Sequence, residues 1–219
     1  MTRSRLSRDD RMEQTLREAH ALFAARGYQA VTMDEIASAV GVTKPLLYNY
    51  FGNKERLYLA CMEEAGDALT TTIADAVESA ANPGDALGAG VRAFFAFLDE
   101  DRAAWAVLFD ETLPRVGPVA ERVAAYRGSI TDAVSRSMLA QLPESRRDSA
   151  RVEIEALSAA LLGAAEALAR WWLRHTDALA PEDAAELLIS TVEPGLRARS
   201  ARPDRAPEAS SSPKGGDPR

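Results

Sequence analysis

Apolar residues recur along this chain at helical spacing almost from end to end. Residues 10–26 place Met12, Leu16, Ala19 and Phe23 on one face at a 3.6-residue period. Gly27 then predicts a stop by a left-handed C-cap. Thr32 is placed to cap a short helix over 33–40, with Glu35 three positions on completing a capping box. Gly41 breaks that helix. Thr43 is placed to cap another over 44–50, where Pro45 is tolerated because first-turn amides lack intrahelical partners. Asn53 is placed to cap a long helix from Lys54 to about residue 80. Beyond the break at Asn82-Pro83-Gly84, the pattern predicts helices over 85–99, 102–113, 119–141, 145–175 and 182–198, the last interrupted at Pro194-Gly195. Few β-branched runs occur, so an all-α fold is expected.

Composition narrows the class. The 219 residues are 47% apolar and 27% charged, enough for a sizeable core. No run approaches the roughly 18 uninterrupted apolar residues of a membrane span. The start, MTRSRLSRDDRMEQ, has no apolar stretch behind its basic residues, which argues against a secretory signal. Cys61 is the single cysteine, and His20 and His175 lie far apart. No metal-ligand spacing occurs, and a Cys–His or Ser–His centre would have to use one of those histidines. A cytoplasmic protein with no metal, no cofactor and no catalytic site is the expectation.

The net charge of −7 is unevenly spread. Residues 1–60 carry +2 and the remainder −9. Arg3, Arg5 and Arg8 precede the first acid, as a basic arm against phosphates or a solvated start would. Residues 201–219 are rich in Pro, Ser and Gly and are expected to be disordered.

The informative stretch is VTMDEIASAVGVTKPLLYNYFGNKERLY, residues 31–58. Two short helices meet at a glycine turn. Ile36, Ala37 and Val40 face Val42 and Leu47 across it, with small Ala37 permitting close approach. This is helix-turn-helix geometry, whose second helix enters a major groove. Its outer side would carry Lys44, Pro45, Leu46, Tyr48 and Asn49. Lys44 can donate to guanine, Asn49 can pair with adenine, and Pro45 and Leu46 can meet thymine methyls. Tyr48, Tyr50 and Lys54 can contact phosphates, which sets register.

The run T-x-x-x-I-A-x-x-V-G-V-x-x-x-x-L-Y-x-Y-F-x-x-K-x-x-L, from Thr32 to Leu57, resembles the N-terminal domain of TetR-family repressors, and AHALFAARGYQAVT before it resembles that family's first helix. Val40 departs from the alanine more usual there. The resemblance implies an all-α protein: a three-helix DNA-binding domain over 10–53 behind a flexible arm over 1–9, and a ligand-binding and dimerisation domain over 54–200 ahead of the tail. It implies that Thr32 and Thr43 cap helices and present hydroxyls or amides to phosphates. Lys44, Pro45, Leu46 and Asn49 would face bases; Tyr48, Tyr50 and Lys54 would grip the backbone. It further implies a homodimer through the last two long helices, whose LSAALLGAAEALA stretch allows close packing. It implies double-stranded DNA as the partner, released when a small apolar effector, lipid-like or drug-like, binds. Phe94, Phe97, Trp105, Leu108, Phe109, Tyr126, Trp171 and Trp172 are the candidate pocket lining. FFAFLDEDRAAWAVLFDE is similar to actinobacterial TetR-type regulators of lipid metabolism, which implies a lipid-like effector. A helical protein-binding adaptor is the alternative; it would not need the Tyr48, Tyr50 and Lys54 set.

Overall fold

The structure is a computed structural model that describes residues 7–82, 84–175 and 177–200. Most of the basic arm, including Arg3 and Arg5, and the tail expected to be disordered lie outside those residues. Nine helices and no strand occur among the described residues: α1 (Arg8–Ala30), α2 (Met33–Val40), α3 (Lys44–Phe51), α4 (Lys54–Glu78), α5 (Ala86–Glu100), α6 (Arg102–Leu108), α7 (Pro118–Ala140), α8 (Glu144–Arg174) and α9 (Pro181–Ser200).

Local chemistry sets most of these ends. Ser7 starts α1 two residues earlier than the apolar period suggests, because its hydroxyl accepts from the Asp10 N–H while the Asp10 carboxylate accepts from the Ser7 N–H. Gly27 does break α1, but not by a left-handed cap: at φ 78° and ψ 162° it occupies a region open only to glycine, and one more turn follows. Thr32 and Glu35 form the expected reciprocal box. Gly41 closes α2 in the left-handed region at φ 73° and ψ 36°. The Asn53 side chain accepts from the Arg56 N–H and starts α4.

Two ends differ from the pattern. α6 stops at Leu108 rather than 113, because Asp110 turns away to bind α1. α9 continues through Pro194. The missing amide frees the carbonyl of Ser190, and both residues are exposed, so water can solvate it.

α4 is the central rod, packed against α1, α5, α6 and α7; α5 also packs on α9, and α7 on α8. One continuous core runs from Phe23, Ile36 and Leu47 through Leu57, Tyr58 and Leu69 to Phe95, Leu98 and Trp172. Each such side chain contributes about 1.5–3 kcal/mol on burial. Tyr58 joins α1 to α6. Its ring packs edge-on against Phe23 and Tyr28, and its hydroxyl donates to the Val107 carbonyl at 2.6 Å. Burial pushes that phenol well above its ordinary pKa. Cys61 is buried one turn on, 3.7 Å from the Leu16 carbonyl, and burial pushes its thiol up to about 12.

No described helix is long and apolar enough to cross a membrane. No cluster of His, Cys, Asp or Glu suited to a metal occurs among the described residues.

Candidate nucleic-acid interface and helical-domain cavity

α3 is held by two residues. Leu47 is fully buried and Phe51 nearly so, packed with Ile36, Ala37 and Val40 of α2. A helix pinned along one side presents the other. Thr43, Lys44, Pro45, Tyr48 and Asn49 are all exposed, and Leu46 and Tyr50 are half-buried at the flanks. Tyr48 is 41% exposed, a large ring left partly in water. The Arg8 guanidinium lies 5.8 Å from the Tyr50 ring, which brings the described end of the basic segment beside α3.

The threonines differ. Thr32 caps α2 with its hydroxyl. Thr43 is the N-cap residue of α3 by its carbonyl alone, which accepts from the N–H groups of Leu46 and Leu47; its side chain makes no cap bond, contrary to the sequence expectation.

Lys44 sits at the first position of α3 with its ammonium on the Asp34 carboxylate, 2.7 Å from Oδ1 and 3.0 Å from Oδ2. Glu35 beside it serves the opposite side: the Arg26 guanidinium, then the Thr32 hydroxyl and N–H, hold its carboxyl down at about 2.

Lys54 is placed differently from the α3 set. Its ammonium donates to the carbonyls of Val31 at 2.8 Å and Gln29 at 3.3 Å, and lies 4.5 Å from the centre of the Tyr28 ring. It closes the C-terminal end of α1, where unpaired carbonyls favour a cation. Partial burial lowers its pKa. An ammonium has three donors, so one remains beyond these two carbonyls.

The aromatic set does not gather around one space. Phe94, Trp105, Leu108 and Trp172 are buried in the core. Phe94 packs edge-on with Phe95 and Trp105, and Phe95 with Trp172. Phe97 is half-buried, and Trp171 is 40% exposed, stacked on His175 at 4.7 Å. Leu108, Phe109 and Tyr126 do meet, with Leu69 and Ile130, around a cavity of about 20 Å³. That is room for roughly one water.

The large cavity lies at the other end of the helical domain and touches none of those side chains. It measures about 460 Å³, within the range of small-molecule sites. Leu87 and Val91 of α5, Met138 of α7, Ile154, Leu157 and Leu161 of α8, and Leu188, Ile189 and Val192 of α9 line it, with Gln141, Arg146, Glu153 and Glu193 as its polar groups. Phe94, Phe95, Trp105 and Trp172 fill the core, and the cavity is lined instead by aliphatic residues together with Gly84, Gly88 and Ala150. Those small residues were the available signal.

Residues 16–61 match the family described as bacterial regulatory proteins, tetR family, and residues 83–193 match the tetracyclin repressor-like C-terminal domain. The HTH-type transcriptional activator FasR of Mycolicibacterium smegmatis is 37% identical over 131 residues, 60% of this chain and 60% of that one, so the match spans well under the relative's full length. The HTH-type transcriptional repressor KstR2 of Mycobacterium tuberculosis is 27% identical over 135 residues, 59% of this chain and 68% of that one. Among solved structures, a TetR-like transcriptional regulator from Rhodococcus sp. RHA1 superposes with a TM-score of 0.72 at 27% identity, covering 88% of this chain and 99% of that one.

Proposed function

The chain belongs to the TetR family of bacterial regulatory proteins, and from that premise we propose that it is a dimeric transcriptional regulator that reads operator DNA with α3 and answers to a small apolar effector. The observation that carries this reading is the outward face of α3. Lys44, Pro45, Tyr48 and Asn49 stand in solvent on a helix whose only buried residues are Leu47 and Phe51. That set supplies a guanine donor, an adenine partner and apolar contacts, on a rigid support. Residues 10–53 are the reading unit and 54–200 the regulatory one. A protein that reads the genome of a bacterium works in its cytoplasm.

Dimerisation is supported by what α8 and α9 leave uncovered. Val152 is 77% exposed and Leu187 51%, and Ala156, Ala159, Gly163 and Ala167 continue the uncovered side of α8. Small residues there let two copies approach closely as a four-helix interface. Two reading helices can then meet successive major grooves about 34–36 Å apart.

The effector site we propose is the cavity between α5, α7, α8 and α9. Its aliphatic lining and polar groups suit an apolar body with a polar end. The relatives include an activator and a repressor. The bound dimer represses where its palindromic operator overlaps the polymerase's path, and effector binding releases it.

The test is selection from a randomised duplex pool. A palindrome should be enriched, bound by a dimer in light scattering. A pool that comes through unenriched rejects the reading. Filling the cavity by Leu157→Trp should abolish effector response and leave the selected duplex bound.

A further inference from the structure

The Asp34–Lys44 pair is the one ion pair that reaches the outward face of α3 among the described residues. It joins the first turn of α2 to the first residue of α3, ten positions apart. Asp34 is well placed as a carboxylate, because a helix N-terminus favours negative charge. Its hydrogen bond and charge also raise the Lys44 pKa, so the ammonium stays protonated.

Resting on the DNA-reading proposal, we infer that Asp34 is a specificity-determining residue that acts through Lys44. The carboxylate engages the Lys44 ammonium with both oxygens, which holds the side chain in one direction, toward the first turn of α2. A donor remains for a base edge, so a matched site can be read with the pair intact. A phosphate that lies off that held direction can use Lys44 only by drawing the ammonium away from Asp34. Asp34 therefore penalises non-matching DNA more than the matched site, and a difference of affinities is what specificity is.

The experiment compares the unaltered chain, Asp34→Asn, Lys44→Met and the double variant. Each is titrated from low to physiological salt against two duplexes: one selected by the unaltered chain and a scrambled one of equal composition. Circular dichroism checks that each variant is folded. Asp34→Asn should bind the scrambled duplex up to about fivefold more tightly, the upper end of what an exposed pair is worth. Its salt slope there should steepen by about one, as one more phosphate contact requires. The selected duplex should change less, and Lys44→Met should erase the gain in the double variant. An unchanged ratio between the two duplexes overturns the inference. So does a gain that survives in the double variant, which would show Asp34 repelling phosphates directly. A randomised pool from which the unaltered chain enriches no duplex would reject the DNA-reading proposal, and this inference with it.

Discussion

The Tyr28 backbone N–H donates to one oxygen of the Asp110 carboxylate at 2.5 Å, and the other oxygen accepts from the Thr112 N–H at 2.7 Å. One side chain thus ties the α6–α7 loop to the break in α1. The break makes the bond possible, since a Cβ at Gly27 would stand 3.2 Å from that carboxylate and 3.3 Å from the Thr112 hydroxyl. Asp110→Ala leaves a half-buried N–H without its acceptor and is expected to cost about 1–3 kcal/mol. Gly27→Ala forces a side chain into a glycine-only conformation at a similar cost, about 1–3 kcal/mol. Urea unfolding of both variants and their double should show strongly non-additive losses. Additive losses would mean the two residues do not share one contact.

Gly66 is the seat of a ring. A Cβ there would come within 2.5–2.8 Å of the Tyr126 ring, whose hydroxyl bonds the Asp67 carboxylate at 3.0 Å. Gly66→Ala must displace the Tyr126 ring and should cost about 1–3 kcal/mol, as overpacking does. Thermal unfolding of Gly66→Ala in a Tyr126→Leu background should recover much of the loss. No recovery would place the strain elsewhere.

Lys54 holds the end of α1 with no DNA present. Lys54→Ala is therefore expected to lower stability without DNA by about 1–2 kcal/mol, a charged hydrogen-bond donor discounted for partial exposure. It should also weaken binding to every duplex alike. A variant as stable as the unaltered chain, but weaker on DNA, would make Lys54 a phosphate contact alone.

Glu35 gives a pH signature. Its folded pKa of about 2 lies below the ordinary 4.5, so the folded state favours the carboxylate. Its contribution is complete above about pH 4.5 and disappears as pH falls toward 2. The stability difference between the unaltered chain and Glu35→Gln should shrink across that window. A difference constant with pH would mean the Arg26 and Thr32 contacts do not depend on the charge.

What could be read from the chain was what neighbours along it decide. The Thr32–Glu35 box, Gly41 and Asn53 are local chemistry, and α2, α3 and the start of α4 came out at the expected places. So did the inward Leu47, which faces Ile36, Ala37 and Val40 across the glycine turn. Contacts between distant segments were not legible. Nothing near residue 110 announces that its carboxylate ends α6 early to reach α1. Lys54 reads as a solvated or phosphate-facing lysine until the carbonyls of Gln29 and Val31 are brought to it. Aromatic residues signal bulk but not whether bulk fills a space or surrounds one, so the aliphatic cavity could not be inferred from ring spacing.

The burial of Cys61 gives the molecule a built-in clock. Alkylation requires an accessible thiolate. With its thiol raised to about 12 and buried on α4 against the Leu16 carbonyl of α1, the closed protein should react far more slowly with an alkylating reagent than an exposed cysteine does. The chain has one cysteine, so each labelled molecule records one separation of those two helices. The same separation would free the reading unit from the rod that carries it. A ligand or duplex that tightens this joint slows the clock, and one that loosens it speeds the clock, with no fluorophore and no change to the sequence.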